Sequence, residues 1–148
     1  MLRRGRHFIF LITISALIAT AIPGCSGSGI SESLLMPIGD LPLEVQEAPA
    51  VVQEAYRFAA ANPDVIQAIP CYCGCSSIGH TSNYSCYVRG QNTDGSLQFD
   101  NHALGCSICV DITTDTMRLL EQGKHVPEIR AYIDDTYGKY GTSNMPQE

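Results

Sequence analysis

Apolar residues fall in patches along this chain, and the spacing within each patch points to a different kind of element. The first, from Phe8 to Ile22, is nearly unbroken and follows Arg3, Arg4 and Arg6. It is shorter than the roughly 20 residues a membrane-spanning helix needs, and its basic-then-apolar order is that of an export signal. From Ser26 to about Ala50 the pattern dissolves. Gly27, Gly29, Pro37, Gly39, Pro42 and Pro49 interrupt it, so residues 25–50 are expected to form a flexible tether. Leu34 and Leu35 are its candidates for docking on the domain that follows.

Helical spacing begins at Val51 and runs through Val52, Ala55, Tyr56, Phe58 and Ala59, ending at Asn62-Pro63, because a residue before proline is pushed out of the helical region. Asn62 can cap a short second helix that starts at Pro63 and carries Val65, Ile66 and Ile69 up to Pro70. Turn formers dominate from Gly74 to about Gly105. Short apolar runs at Tyr84 to Val88 and Leu97 to Phe99, with Asn92-Thr93-Asp94-Gly95 between them, predict a small two-stranded ribbon.

A third helix is expected from near Cys106 to about Gln122, with Cys106, Cys109, Val110, Thr113, Met117 and Leu120 on one side and Gly123 as its stop. A fourth follows Pro127. Val126, Ile129, Tyr132, Ile133 and Tyr137 make its inward stripe, while Glu128, Arg130, Asp134 and Asp135 stay wet until Gly138. The expected fold is therefore mainly α, a small cysteine-rich domain of about four short helices around an irregular loop and a β-hairpin. The domain covers 51–140 and a flexible tail covers 141–148. A domain this small has a modest core, and metals or disulfides often add what burial alone does not.

The chemistry sits in the loop. Cys71, Cys73, Cys75, His80, Cys86, His102, Cys106 and Cys109 all fall within 39 residues. Cysteines at i, i+2 and i+4 of an extended segment point to one face, and Gly74 lets the backbone bend so that three sulfurs converge. Cys106 and Cys109 share the face of a first helical turn, whose free N–H groups stabilise thiolate charge. His80 and His102 are spaced to join these thiols, and Asp100 is a candidate to orient the second ring nitrogen of His102.

Thiolates and imidazoles are soft donors that favour Cu(I) or Zn(II) over calcium or magnesium. Eight donors exceed one tetrahedral zinc, which leaves two sites or bridging thiolates around several Cu(I) ions. Competing readings are a disulfide framework, thiol–disulfide exchange at Cys106 and Cys109, and an iron–sulfur cluster. Neighbouring members of the triplet, two residues apart, sit near the upper limit of Cα separation for a disulfide. Cys106-x-x-Cys109 lacks the strand–helix–strand setting of thioredoxin-like proteins. Met117, about three helical turns from Cys106, reads as core packing. His125 and the Asp134-Asp135 pair lie far along the chain from any nucleophile, so hydrolytic catalysis is not expected, and the chain reads as a binding protein more than an enzyme.

The signal ends in Ile22-Pro23-Gly24-Cys25, which resembles a bacterial lipobox, with Pro23 its less usual member. That implies cleavage after residue 24, lipid on the sulfur of Cys25, and a protein held to the membrane without a transmembrane helix. Removing residues 1–24 takes three of nine basic residues and none of fifteen acidic ones, so the formal charge moves from -6 to -9. Nucleic acid is excluded as a natural partner by that balance. The expected partners are the membrane, metal ions and an extracytoplasmic metalloprotein client.

Pro70-Cys71-Tyr72-Cys73-Gly74-Cys75, Gly79-His80, Ser82-Asn83, Cys86, His102, Cys106-Ser107-Ile108-Cys109 and Ile129-Arg130-Ala131-Tyr132-Ile133-Asp134 with Tyr137-Gly138 together resemble the bacterial PCYCGC-motif lipoproteins. The match runs from about Tyr56 to Tyr140. The resemblance implies an exported, cysteine-rich, usually lipid-anchored protein with a metal-binding role. Six cysteines and two histidines carry it, and all eight are present.

Overall fold

The computed structural model describes residues 31–146. The export signal, the lipobox and the lipidation residue Cys25 lie outside the described residues. Among these, no helix is long and apolar enough to cross a membrane.

Among the described residues, five α-helices and one hairpin follow in order: α1 Leu43–Gln46, α2 Ala50–Ala61, α3 Pro63–Ile66, β1 Val88–Gln91, β2 Leu97–Phe99, α4 Ser107–Glu121 and α5 Val126–Tyr137. Short 3-10 turns fill the loop, among them Cys75–Ile78, Tyr84–Cys86 and His102–Leu104. The expected mainly helical fold with a two-stranded hairpin is what the chain adopts. α4 packs against α2 on one side and α5 on the other. Ala55, Tyr56, Phe58 and Ala59 of α2 are buried with Ile112, Met117 and Leu119 of α4 and Ile129, Ile133 and Tyr137 of α5. Each large side chain so buried contributes about 1.5–3 kcal/mol, which is how an amphipathic stripe becomes a helix interface. Met117 is part of this core.

Proline and glycine punctuate the helices as expected. α2 stops at Asn62 before Pro63, and the chain turns after α4 at Gly123, whose φ of 77° is left-handed. Asn62 does not cap α3 with its side chain. Its Nδ2 instead donates to the carbonyls of Leu34 (2.7 Å) and Phe58 (2.8 Å). In α5 the stripe is narrower than its spacing implies. Tyr132 stays 38% exposed, with the Arg118 guanidinium 5.4 Å from its ring centroid, a stacking that accounts for an aromatic at the surface.

The hairpin pairs Val88 with Phe99, Gly90 with Gln98 and Gln91 with Leu97, with a bulge between Val88 and Gly90. Its first strand begins later than expected. Residues Tyr84–Cys86 form a 3-10 turn that delivers Cys86 to the interior, so tertiary placement overrides the β-prone run there. Tyr56 donates to the carbonyl of Asp100 (2.7 Å) and the Asp100 N–H donates to the Tyr87 carbonyl (2.8 Å), tying the hairpin base to α2.

Two segments placed outside the domain by composition pack onto it. Leu41 and Val45 are buried, and Arg57 of α2 donates through Nε to the Met36 carbonyl (2.6 Å) while the Met36 N–H returns a bond to the Arg57 carbonyl. The ordered domain thus includes part of the expected tether, because α2 leaves apolar surface that this arm covers. At the other end, Asn144 is buried in what reads as a flexible tail. The polar groups it satisfies belong to the cysteine loop.

Candidate metal centre

Cys71 follows the end of the α3 segment, where Pro70 stops helical bonding, and the chain runs extended to Gly74. There φ is 83°, and the left-handed turn swings Cys75 into the 3-10 turn behind it. The Tyr72 side chain, pointing away from its cysteine neighbours, donates to Asp134 Oδ1 of α5 (2.6 Å). Asp134 therefore ties down the cysteine run and is more than a solvated charge. Cys106 is the N-cap of α4 and Cys109 lies in its first turn, where backbone N–H groups lack helical partners and favour negative charge.

These placements bring both cysteine stretches and both histidines to one locus. The Cys71 sulfur is 3.5 Å from that of Cys73 and 3.4 Å from that of Cys109. Cys73 and Cys109 are 3.6 Å apart, Cys75 and Cys86 3.8 Å, and Cys73 Sγ lies 3.4 Å from His102 Nε2. All six cysteines among the described residues are free. Sulfurs each about 2.3 Å from a tetrahedral zinc stand about 3.8 Å apart, whereas a disulfide closes to about 2.05 Å. The observed separations match ligand-to-ligand edges.

Four groups of donors have all their ligating atoms within 4.8 Å of one another: Cys73, His102, Cys106 and Cys109; Cys75, His80, Cys86 and His102; Cys71, Cys73 and Cys75; and Cys71, Cys86 and Cys109. Every donor expected from the sequence belongs to at least one of them. The donor set fits a soft ion on a further count. His80 Nδ1 is buried and has no hydrogen-bond partner, a costly state for an imidazole nitrogen that ligation would relieve.

Asp100 serves His80 rather than the His102 ring. Its Oδ2 faces His80 Nε2 at 3.8 Å and pairs with Arg89 Nη2 at 3.2 Å, while Oδ1 accepts the backbone N–H of His102 at 2.8 Å. The 3-10 turn at His102–Leu104 points the ring toward Cys73 and leaves the carboxylate at its backbone. The two imidazoles meet edge to face, centroids 5.1 Å apart.

Burial and shared hydrogen bonds set the charge state of the thiols. Cys109 is pulled down to about 6, first by the hydrogen bond from Cys71 and then by that from Cys86. Cys73 is pushed up by burial and by the negative charge of Cys109 and Cys71, and Cys86 by its hydrogen bonds to Cys109, Cys71 and Cys75 together with burial. Cys73 and Cys86 thus hold their protons as the cluster stands, and a bound cation would favour their ionisation.

Residues outside the donor set hold it in place. Asn144 Oδ1 accepts the Cys71 N–H (2.7 Å), its own N–H donates to the Cys71 carbonyl (3.0 Å), and Nδ2 donates to the Ser82 carbonyl (3.0 Å) and the Cys75 sulfur (3.4 Å). Buried Tyr87 donates to the Cys109 carbonyl (2.8 Å) and lies 2.7 Å from Thr113 Oγ1, which also accepts from Asn83 Nδ2 (2.7 Å). Of these supports, Thr113 is placed by the helical spacing of α4. Ser82-Asn83 stands within the motif quoted above and Tyr87 within an apolar run, while Asn144 carries no such signal.

A helical domain that gathers six free thiols and two imidazoles into one partly buried locus is a cysteine-rich domain with groups able to bind metal. A family model described as a protein of unknown function with PCYCGC motif matches residues 15–147, and the chain belongs to that family. The match extends beyond the Tyr56 to Tyr140 span read from the motifs and includes the arm and the Asn144 segment. No curated protein and no solved structure matches the chain.

Proposed function

We propose that this protein is exported, anchored to the extracytoplasmic face of a bacterial membrane through lipid on Cys25, and binds soft metal, Cu(I) or Zn(II), through its Cys/His cluster. Capture or delivery of copper is the role that fits best, with an extracytoplasmic metalloprotein as client. The observation that carries the reading is the convergence of eight soft donors, six of them cysteines with no disulfide, from two distant stretches of chain and the loop between them, at ligand-edge distances. Thiolate and imidazole donors select Cu(I) and Zn(II) among biological ions. The basic-apolar-lipobox order of residues 1–25 supports export and lipidation.

The protein acts as a binder and not as a thiol–disulfide enzyme. An exchange catalyst exposes its low-pKa sulfur to substrate, but here that sulfur is Cys109, fully buried and in contact with Cys71 and Cys73. Competition tests the reading. Reduced protein mixed with a chromogenic Cu(I) chelator complex is expected to strip the copper and protect its thiols from titration. A chelator complex left intact beside an unchanged thiol titre would remove the proposal.

A further inference from the structure

The eight donors are not equivalent. Cys73, His102, Cys106 and Cys109 form one compact tetrad, and Cys75, His80, Cys86 and His102 another. The tetrads differ in their access to solvent. Cys73, His102 and Cys106 are half-buried, whereas Cys75, His80 and Cys86 are 2%, 8% and 0% exposed. Cys71 belongs to neither and stands between them, in triads with Cys73 and Cys75 and with Cys86 and Cys109. His102 counts in both, and its Nε2 lies 3.4 Å from the sulfur of Cys73 in the exposed one.

Resting on the metal-binding reading above, the geometry points to two soft ions with separate tasks. An inner ion, held by Cys75, His80 and Cys86 with Cys71 alongside, staples the fold, and an outer ion, held by Cys73, His102, Cys106 and Cys109, is exchangeable cargo. The outer set supplies three sulfurs and one nitrogen, a complete tetrahedral shell; the inner set supplies two sulfurs and one nitrogen, and Cys71, grouped with Cys75 in one triad and with Cys86 in another, offers the third sulfur.

The supports differ as the tasks require. Inner donors sit under the Asn144 latch, which bonds the Cys71 backbone and the Cys75 sulfur, and opening that set means opening the core. On the outer side, Cys106 lines a surface groove of about 290 Å³ with Val51, Val52, Leu104 and Ser107. An incoming thiol of the acceptor can reach the outer ion there. Its sulfur bonds the ion as the ion–Cys106 bond breaks, its proton passes to the departing Cys106 sulfur, and no electron is transferred. Departure at Cys106 leaves the α4 backbone unmoved, because Cys106 is the cap residue and not part of the helix.

Zn(II) release from the reduced full chain in detergent to an excess of a chromogenic chelator tests this. Two equivalents are expected to leave in two phases, the first faster by about tenfold or more, because only the outer set is accessible without opening the fold. Cys106→Ser should abolish the fast phase, retain one slow equivalent and keep the parent far-UV circular dichroism. Cys86→Ser should lose the slow equivalent and much of the helical signal. Release of both equivalents in one phase, binding of a single equivalent by the parent, or unfolding of Cys106→Ser would overturn the division of labour while leaving metal binding intact. A chain that takes up no Zn(II) and no Cu(I) would overturn the metal-binding reading itself.

Discussion

Replacing Asn144 by alanine removes a side chain that is 5% exposed and ties the C-terminal segment to both sides of the cysteine loop. Its Oδ1 takes the Cys71 N–H at 2.7 Å and its Nδ2 serves the Ser82 carbonyl at 3.0 Å and the Cys75 sulfur at 3.4 Å. Truncation leaves the buried Cys71 N–H without a partner and the Ser82 carbonyl with only the Ser85 N–H at 3.3 Å. One orphaned buried group costs about 1–3 kcal/mol and the lost bond to Ser82 about 1 kcal/mol, so the change should cost about 2–4 kcal/mol. Denaturant unfolding at a fixed free metal concentration is the suitable assay, since a ligand bound only by the folded state adds to apparent stability. Asn144→Asp should be at least as damaging, because it keeps the acceptor for Cys71 but turns a carboxylate oxygen toward the Ser82 carbonyl and the Cys75 sulfur. Met145→Ala, next along the same segment, should stay within about 0.5 kcal/mol of the parent. If Asn144→Ala also fell within about 0.5 kcal/mol, the latch would be a contact without energetic weight and the reasoning would fail.

Three further outcomes follow from the same packing. Tyr87→Phe strips the hydroxyl from the Cys109 carbonyl and Thr113 while keeping the ring, and should cost about 1–3 kcal/mol in the same unfolding assay. Gly141→Ala places a Cβ 2.8 Å from the Tyr72 carbonyl oxygen, a clash with backbone that should cost about 1–3 kcal/mol and loosen the Asn144 segment, seen as faster amide exchange at Cys71. For the reduced, metal-free chain, Cys109 is held at about 6 against an ordinary 9.0, so the unfolded state binds the extra proton between those values and stability should rise with pH across that window. Above it the trend reverses, because Cys73, Cys86, Tyr56 and Tyr137 are raised and keep protons that the unfolded chain releases. Urea midpoints that fell steadily from pH 6 to 9 would contradict that assignment.

The helices were legible because their stripes carry the 3.6-residue period and end at proline or glycine, as α2 does at Asn62-Pro63 and α4 before Gly123. The donors were legible by density, which needs no knowledge of distant contacts. Partners set by tertiary approach were not. Asn144 meets Cys71 across 73 residues of chain, and a polar residue in a polar segment carries no periodic signal. Asp100 lies two residues before His102, and that proximity points to its ring. Instead the bulged hairpin turns its Oδ2 toward His80, and sequence distance misleads there. The arm before α2 was read as a tether because its prolines hide the two side chains, Leu41 and Val45, that the core covers.

The central claim is that sulfurs from the Cys71 to Cys75 run and the Cys106 to Cys109 turn meet as reduced ligands of soft metal. Native mass spectrometry with elemental analysis, on protein isolated anaerobically from its own cell envelope, tests it most directly. The account predicts a lipid-modified chain carrying Cu or Zn with six unpaired thiols beneath the metal. A metal-free chain lighter by the six hydrogens of three disulfides would contradict it.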